Sequence, residues 1–179
     1  MPVRDIARMG HPVLMRRADP VVDPTAPEIR ALVADMVETM AAAHGIGIAA
    51  PQIKVPLRVV VFGVPAERVT DDAEDGAMTL TAIVNPVVEP LGPELALGWE
   101  GCLSLPGLRG VVPRYTRVRY AGVTPEGEVI ERIAAGYHAR VVQHEFDHLD
   151  GIVYPMRMPD MSLFGYAEDM TGQPCPTDD

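Results

Sequence analysis

The chain has 179 residues, 47% of them hydrophobic, enough for one well-cored domain and short for two. A formal charge of -10 argues against general affinity for phosphate backbones, DNA included, and two cysteines exclude a disulfide framework. The charged amino terminus opens no apolar run of signal-peptide length, and nothing later approaches the roughly 20 apolar residues that span a bilayer, so a cytoplasmic protein without a membrane partner is expected.

The first predicted element follows Asp23-Pro24. Thr25-Ala26-Pro27-Glu28 has the capping-box pattern, in which Thr25 accepts from the third helical amide while Glu28 reaches back. Ile29, Leu32, Val33, Met36 and Met40 recur at helical spacing and predict one buried stripe, with Gly45 as the stop. Residues 45–50, Gly-Ile-Gly-Ile-Ala-Ala, match the dinucleotide fingerprint only superficially. That fingerprint must follow a strand and open a helix, whereas these glycines follow a helix and lead through Pro51-Gln52 towards a strand. The physical reading is close approach of backbone to a ligand, with Ile46 and Ile48 as apolar wall and the Gln52 amide as an oxyanion donor.

Residues 57–62 and 81–84 are β-branched runs that predict strands, with the acidic stretch 70–76 a loop between them. Glu100-Gly101-Cys102-Leu103-Ser104-Leu105-Pro106-Gly107 lies between strand-like segments. Ser104 is no hydrolase nucleophile, because Cys102 stands where a nucleophile elbow needs glycine. Arg109, Arg114, Arg117 and Arg119 fall within eleven positions and, split between the faces of a strand, read as a solvated edge. Segments 116–123 and 128–133 flank Thr124-Pro125-Glu126-Gly127, whose Pro and Gly suit a tight antiparallel hairpin. Residues 136–149 hold no Pro or internal Gly, and Tyr137, Val141, His144 and His148 share one face, which predicts a helix. Helix, several strands, then helix indicates an α+β fold. Residues 1–164 read as a single catalytic domain, and residues 165–179, which include Cys175, as a flexible Pro-rich acidic tail.

Residues 144–148 read His-Glu-Phe-Asp-His. Four helical residues turn through about 400° and rise about 6 Å, so His144 and His148 can close on a single metal ion. Glu145, about 100° round the helix, can reach a water there without ligating the metal. A catalytic site needs a third protein ligand and one open position, and Cys102 completes the set, since His11, His44 and His138 lack ligand spacing. A zinc endopeptidase shares the His-Glu-x-x-His pattern but usually adds a downstream ligand rather than an upstream Cys. A closed structural site would need neither a base at Glu145 nor a donor at Gln52.

Three segments, Gly45-Ile46-Gly47-Ile48-Ala49-Ala50-Pro51-Gln52, Glu100-Gly101-Cys102-Leu103-Ser104 and Gln143-His144-Glu145-Phe146-Asp147-His148-Leu149-Asp150-Gly151, together resemble the motifs of the peptide deformylase family, in order and without a substituted position. The resemblance is type I-like and extends to Met9-Gly10-His11-Pro12-Val13-Leu14 and the hairpin, covering roughly residues 3–160. It implies antiparallel sheets surrounding a central metal-binding helix, with an N-terminal amphipathic helix. The implied enzyme is a metallo-amidohydrolase that removes the formyl group from N-terminal N-formylmethionine of nascent polypeptides, releasing formate by attack of a metal-bound hydroxide.

Carried over residue by residue, Cys102, His144 and His148 are metal ligands, Glu145 is the general base and then acid, and Gln52 with the Leu103 amide binds the oxyanion. Gly47 aligns the peptide; Gly45, Ile46, Tyr137, Val141 and His144 wall the methionine pocket; Arg109 lies near the substrate path. Glu100 and Arg114 support the Cys102 segment as an ion pair. The implied cofactor is one divalent ion, Fe(II) in the cell, with Zn(II), Ni(II) or Co(II) accommodated in isolated protein. Many relatives end in a longer basic helix suited to ribosomal RNA, but no Lys or Arg follows Arg157 here. Any transient ribosome association is therefore not expected to run through such a helix.

Overall fold

Over residues 3–70, 72 and 74–175, which the computed structural model describes, ten regular elements follow one another. They are α1 (Pro27–Ala42), β1 (Gly47–Ala49), β2 (Val59–Val64), β3 (Met78–Pro90), β4 (Leu95–Cys102), β5 (Leu105–Tyr115), β6 (Arg117–Val123), β7 (Val129–Ala135), α2 (Gly136–Leu149) and β8 (Phe164–Tyr166). The strands form two antiparallel sheets, one ordered β1-β2-β3-β6-β7 and one ordered β4-β5-β8.

The apolar run in β2 sets the layering. Successive side chains of a strand point to opposite faces. Val60, Phe62 and Val64 therefore join Tyr120, Val142, Phe146 and Leu149 in one core, while Val59 and Val61 join Ile29, Met36 and Met40 in another. With α2 over one face and α1 over the other, β2 has no solvent side, which is why its sequence is unbroken rather than alternating. Of the predicted stripe on α1, Ile29, Leu32, Met36 and Met40 are buried, and Val33 is half-buried against the same core. On its far side α2 meets the second sheet, where Gln143 bonds both backbone groups of Tyr115 (2.9 and 3.0 Å).

The expected hairpin is β6–β7, with Val123 opposite Val129 and Gly127 donating to the Thr124 carbonyl at 2.9 Å. The expected capping box is not formed. Pro27 opens α1 with Ala26 as its N-cap, and Thr25 turns back to donate its hydroxyl to Asp23 Oδ1 at 2.7 Å. Proline at the first helical position lacks an N–H, so one capping demand disappears. The helix ends at Ala42, three residues before Gly45, whose N–H returns to the Met40 carbonyl at 2.9 Å.

The second sheet moves the expected start of the tail. Gly165 and Tyr166 pair with Arg109 and Leu108 in the sheet, and Met170 is buried. Residues 176–179 of the expected tail lie outside the described residues. No described helix is long and apolar enough to cross a membrane.

Candidate functional site

Two elements from opposite sides of a groove supply the chemistry. Cys102 ends β4 at a register shift between Gly101 and Cys102, and the Leu103–Ser104 turn follows it. Opposite, α2 spans the predicted residues 136–149 and stacks His144 and His148, with ring centroids 5.2 Å apart. One donor atom from each of Cys102, His144 and His148 lies within 4.8 Å of the others, and Cys102 Sγ sits 3.3 Å from His148 Nε2.

This donor set fits a divalent ion. A soft thiolate and two imidazoles are the ligands that zinc and ferrous iron share, and three protein ligands leave a position for a reacting molecule. The second nitrogen of His144 is held in the manner typical of a metal ligand: Nδ1 donates to Glu100 Oε2 at 2.8 Å, leaving Nε2 as the donor atom. Burial pushes the Cys102 thiol up, but His148 and His144 outweigh it and hold it well below the usual thiol range. The thiolate is the ligating form. Burial pushes the His144 imidazole down, but Cys102 and Glu100 outweigh it and raise it well above its ordinary value, so the pocket favours a cation at this point.

Glu100 is the hub of the supporting shell. Its Oε1 accepts from Arg114 Nε and Arg140 (both 2.9 Å), and its Oε2 from Arg114 (3.0 Å) and His144 (2.8 Å). Burial pushes this carboxyl up, and the His144 and Arg114 bonds reverse that and hold it below the ordinary carboxylate range. Arg114 also reaches Asp147 at 2.5 Å, tying β5 to α2. The solvated-edge reading is thus corrected for Arg114, which is 5% exposed, whereas Arg117 pairs with Glu74 and Arg119 with Glu89 near the surface.

Glu145 is buried, and its Oε2 has no hydrogen-bond partner among the described residues. Burial pushes its carboxyl up to about 7, against the opposing pull of His144 and His148. A Cβ on Gly47 would lie 2.2 Å from Glu145 Oε1, so the absence of a side chain at 47 is what lets this carboxylate stand there. Gln52 is equally buried; its Oε1 accepts from the Ala49 amide at 2.8 Å, and its Nε2 faces Ser104 Oγ (3.1 Å) and Cys102 Sγ (3.4 Å).

A groove of about 910 Å³ joins these groups, and Gly45, Ile46, Gly47, Gln52, Glu100, Cys102, Leu103, Tyr137, Val141, His144 and Glu145 all line it. His148 lies beneath, 1% exposed. Arg109 is not in the lining; its guanidinium stacks 4.0 Å from the ring centroid of Trp99, which is. Sequence reasoning missed Arg140, which also donates to the carbonyls of Ala96 (2.7 Å) and Val112 (2.8 Å). The signal was present, since 140, 144 and 148 are spaced by four and share a helix face.

The family model for polypeptide deformylase matches residues 3–163. Peptide deformylase 2 of Ralstonia nicotianae and peptide deformylase 1 of Bordetella pertussis are each 54% identical over 166 residues, covering 93% of this chain and 93% of their own. Among solved structures, peptide deformylase from Ehrlichia chaffeensis in complex with actinonin is 32% identical with a TM-score of 0.83, covering 90% of this chain and 92% of that one. A class I type b peptide deformylase from Acinetobacter baumannii is 36% identical with a TM-score of 0.80, covering 88% of this chain and 100% of that one.

Proposed function

The chain belongs to the peptide deformylase family, and from that premise we propose that it removes the formyl group from the N-terminal N-formylmethionine of nascent polypeptides, releasing formate and a free amine. The observation that carries this reading is the convergence of the Cys102, His144 and His148 donor atoms within 4.8 Å, beside the buried Glu145 and Gln52. When bound there, a divalent ion lowers the pKa of a coordinated water from about 15.7 to about 7 and polarises the carbonyl. We take Fe(II) as the ion in the cell and Zn(II) as an alternative in isolated protein.

Glu145 takes the proton of the attacking water as its oxygen adds to the formyl carbon, and returns that proton to the amine nitrogen as the C–N bond breaks. A carboxyl near 7 suits both halves of this exchange, because base and acid forms are then both accessible at neutral pH. Gln52 Nε2 and the Leu103 amide donate to the carbonyl oxygen as it becomes anionic. Gly45, Ile46, Tyr137 and Val141 receive the methionine side chain, and the Gly47 backbone aligns the peptide. Glu100, held by Arg114 and Arg140, keeps the His144 ring in one tautomer and orientation. The enzyme acts in the cytoplasm, with any ribosome contact made elsewhere than through a basic C-terminal helix.

Two variants separate binding from chemistry. Cys102→Ala loses bound metal and formate release together, whereas Glu145→Gln keeps the metal and loses formate release by more than about 100-fold. Wild-type protein purified without oxygen and carrying its metal, yet inert on a formyl-Met peptide, overturns the proposal.

A further inference from the structure

The geometry points to Ser104 as a positioning residue whose Oγ holds the Gln52 amide in the orientation an oxyanion donor needs, an inference that rests on the deformylase reading above. Gln52 is 1% exposed and fastened at both ends of its side chain. The Ala49 amide, bonded to Oε1 at 2.8 Å, decides which end of the carboxamide faces the groove. That leaves two hydrogens on Nε2. One is taken by Ser104 Oγ at 3.1 Å; the other is directed at Cys102 Sγ at 3.4 Å.

The two acceptors differ in strength. A thiolate that gives its electron pair to a metal ion keeps little acceptor capacity, and Sγ is the more distant partner at 3.4 Å, so the hydrogen facing Cys102 is the one that a developing oxyanion can take over. The Ser104 bond then keeps the planar carboxamide from swinging as the second hydrogen changes partner. Ser104 suits this task because it is 1% exposed and its own turn is anchored. Its carbonyl accepts from the Met9 amide at 2.8 Å, and the Gln52 carbonyl accepts from the Ala7 amide at 2.7 Å. Two amides of one short segment thus staple the Gln52 turn to the Ser104 turn, fixing the span across which the two side chains meet.

The test uses metal-loaded enzyme and a formyl-Met peptide. Ser104→Ala lowers kcat by about 10- to 100-fold while KM moves by less than about threefold and bound metal and melting temperature are kept. Ser104→Thr, which retains the hydroxyl, restores most of the rate. In a Gln52→Ala background Ser104→Ala causes no further loss, because its effect passes through Gln52. NMR of the Gln52 side-chain amide without substrate reads the contact independently of turnover: its two protons are well dispersed in wild type and collapse towards free-amide positions in Ser104→Ala. Equal rate losses in both backgrounds, or an amide signal indifferent to Ser104, overturn the role. No formate from wild type, with the amide signal still dependent on Ser104, overturns the deformylase reading instead.

Discussion

At the scale of single residues, catalytic power depends on how little the site must rearrange. On the proposed mechanism Gln52→Ala removes one oxyanion donor, and donors of this kind are worth about 2.7 to 4 kcal/mol, so kcat is expected to fall by about 100- to 1000-fold. Metal content stays intact, because Gln52 is not among the grouped donors; formate kinetics beside metal analysis check both halves. Gly47→Ala is the sterner test of close packing. Its methyl would meet Glu145 Oε1 at 2.2 Å, so the carboxylate must move aside. A displacement of about 1 Å at a reacting group can cost about 100-fold, and a loss of that order in kcat with bound metal preserved is expected. The sequence singles these residues out because each motif is local, with spacing along a helix or within one turn, and the structure brings Gly47, Gln52 and Glu145 to one groove.

At the scale of elements, α2 is held from both sides, and neither restraint is local. Arg140 links it to the second sheet through Glu100 and two strand carbonyls, and passes so near Gly98 that a Cβ there would lie 2.5 Å from its guanidinium carbon. Arg140→Met leaves the buried Glu100 short of a cation, which costs about 3 kcal/mol, visible as a lowered urea midpoint. At the other end, buried Asp75 accepts from the His138 amide (2.9 Å) and the Thr70 amide (2.8 Å), capping the first turn of α2 from a distant loop. Burial pushes the Asp75 carboxyl up, but these amides outweigh it and hold it below its ordinary 3.8. Its contribution is therefore present above 3.8 and lost as pH falls through the lower folded value. Asp75→Asn should be less stable than wild type by about 1 to 3 kcal/mol at pH near 6, and the gap should close in acid, as urea titrations at several pH values will show. The span of α2 was readable from periodicity, and strand-like segments were readable on either side of Cys102, but the bounds of β4 and β5 and the existence of β8 were not. Gly98, Gly101, Gly107, Gly110, Pro106 and Pro113 dilute their strand signal. Local spacing read Arg114 as a solvated edge because its partners Glu100 and Asp147 lie 14 and 33 positions away, whereas the resemblance implied its pairing with Glu100, which the structure shows.

At the scale of the whole molecule, the fold brings two sheets and one helix to a single groove, and the order of elements was enough to read its α+β class. What sequence could not supply was the arrangement of the second sheet, since Cys102 reaches His148 across 46 positions and only tertiary packing sets that distance. On the proposed function this groove hydrolyses a formyl amide at a chain terminus, not a bond within the chain. The most direct measurement is product analysis after oxygen-free, metal-loaded enzyme has met a formyl-Met peptide. Formate together with the full-length peptide bearing a free amino terminus is the predicted outcome; shortened fragments, or unchanged substrate, would contradict it.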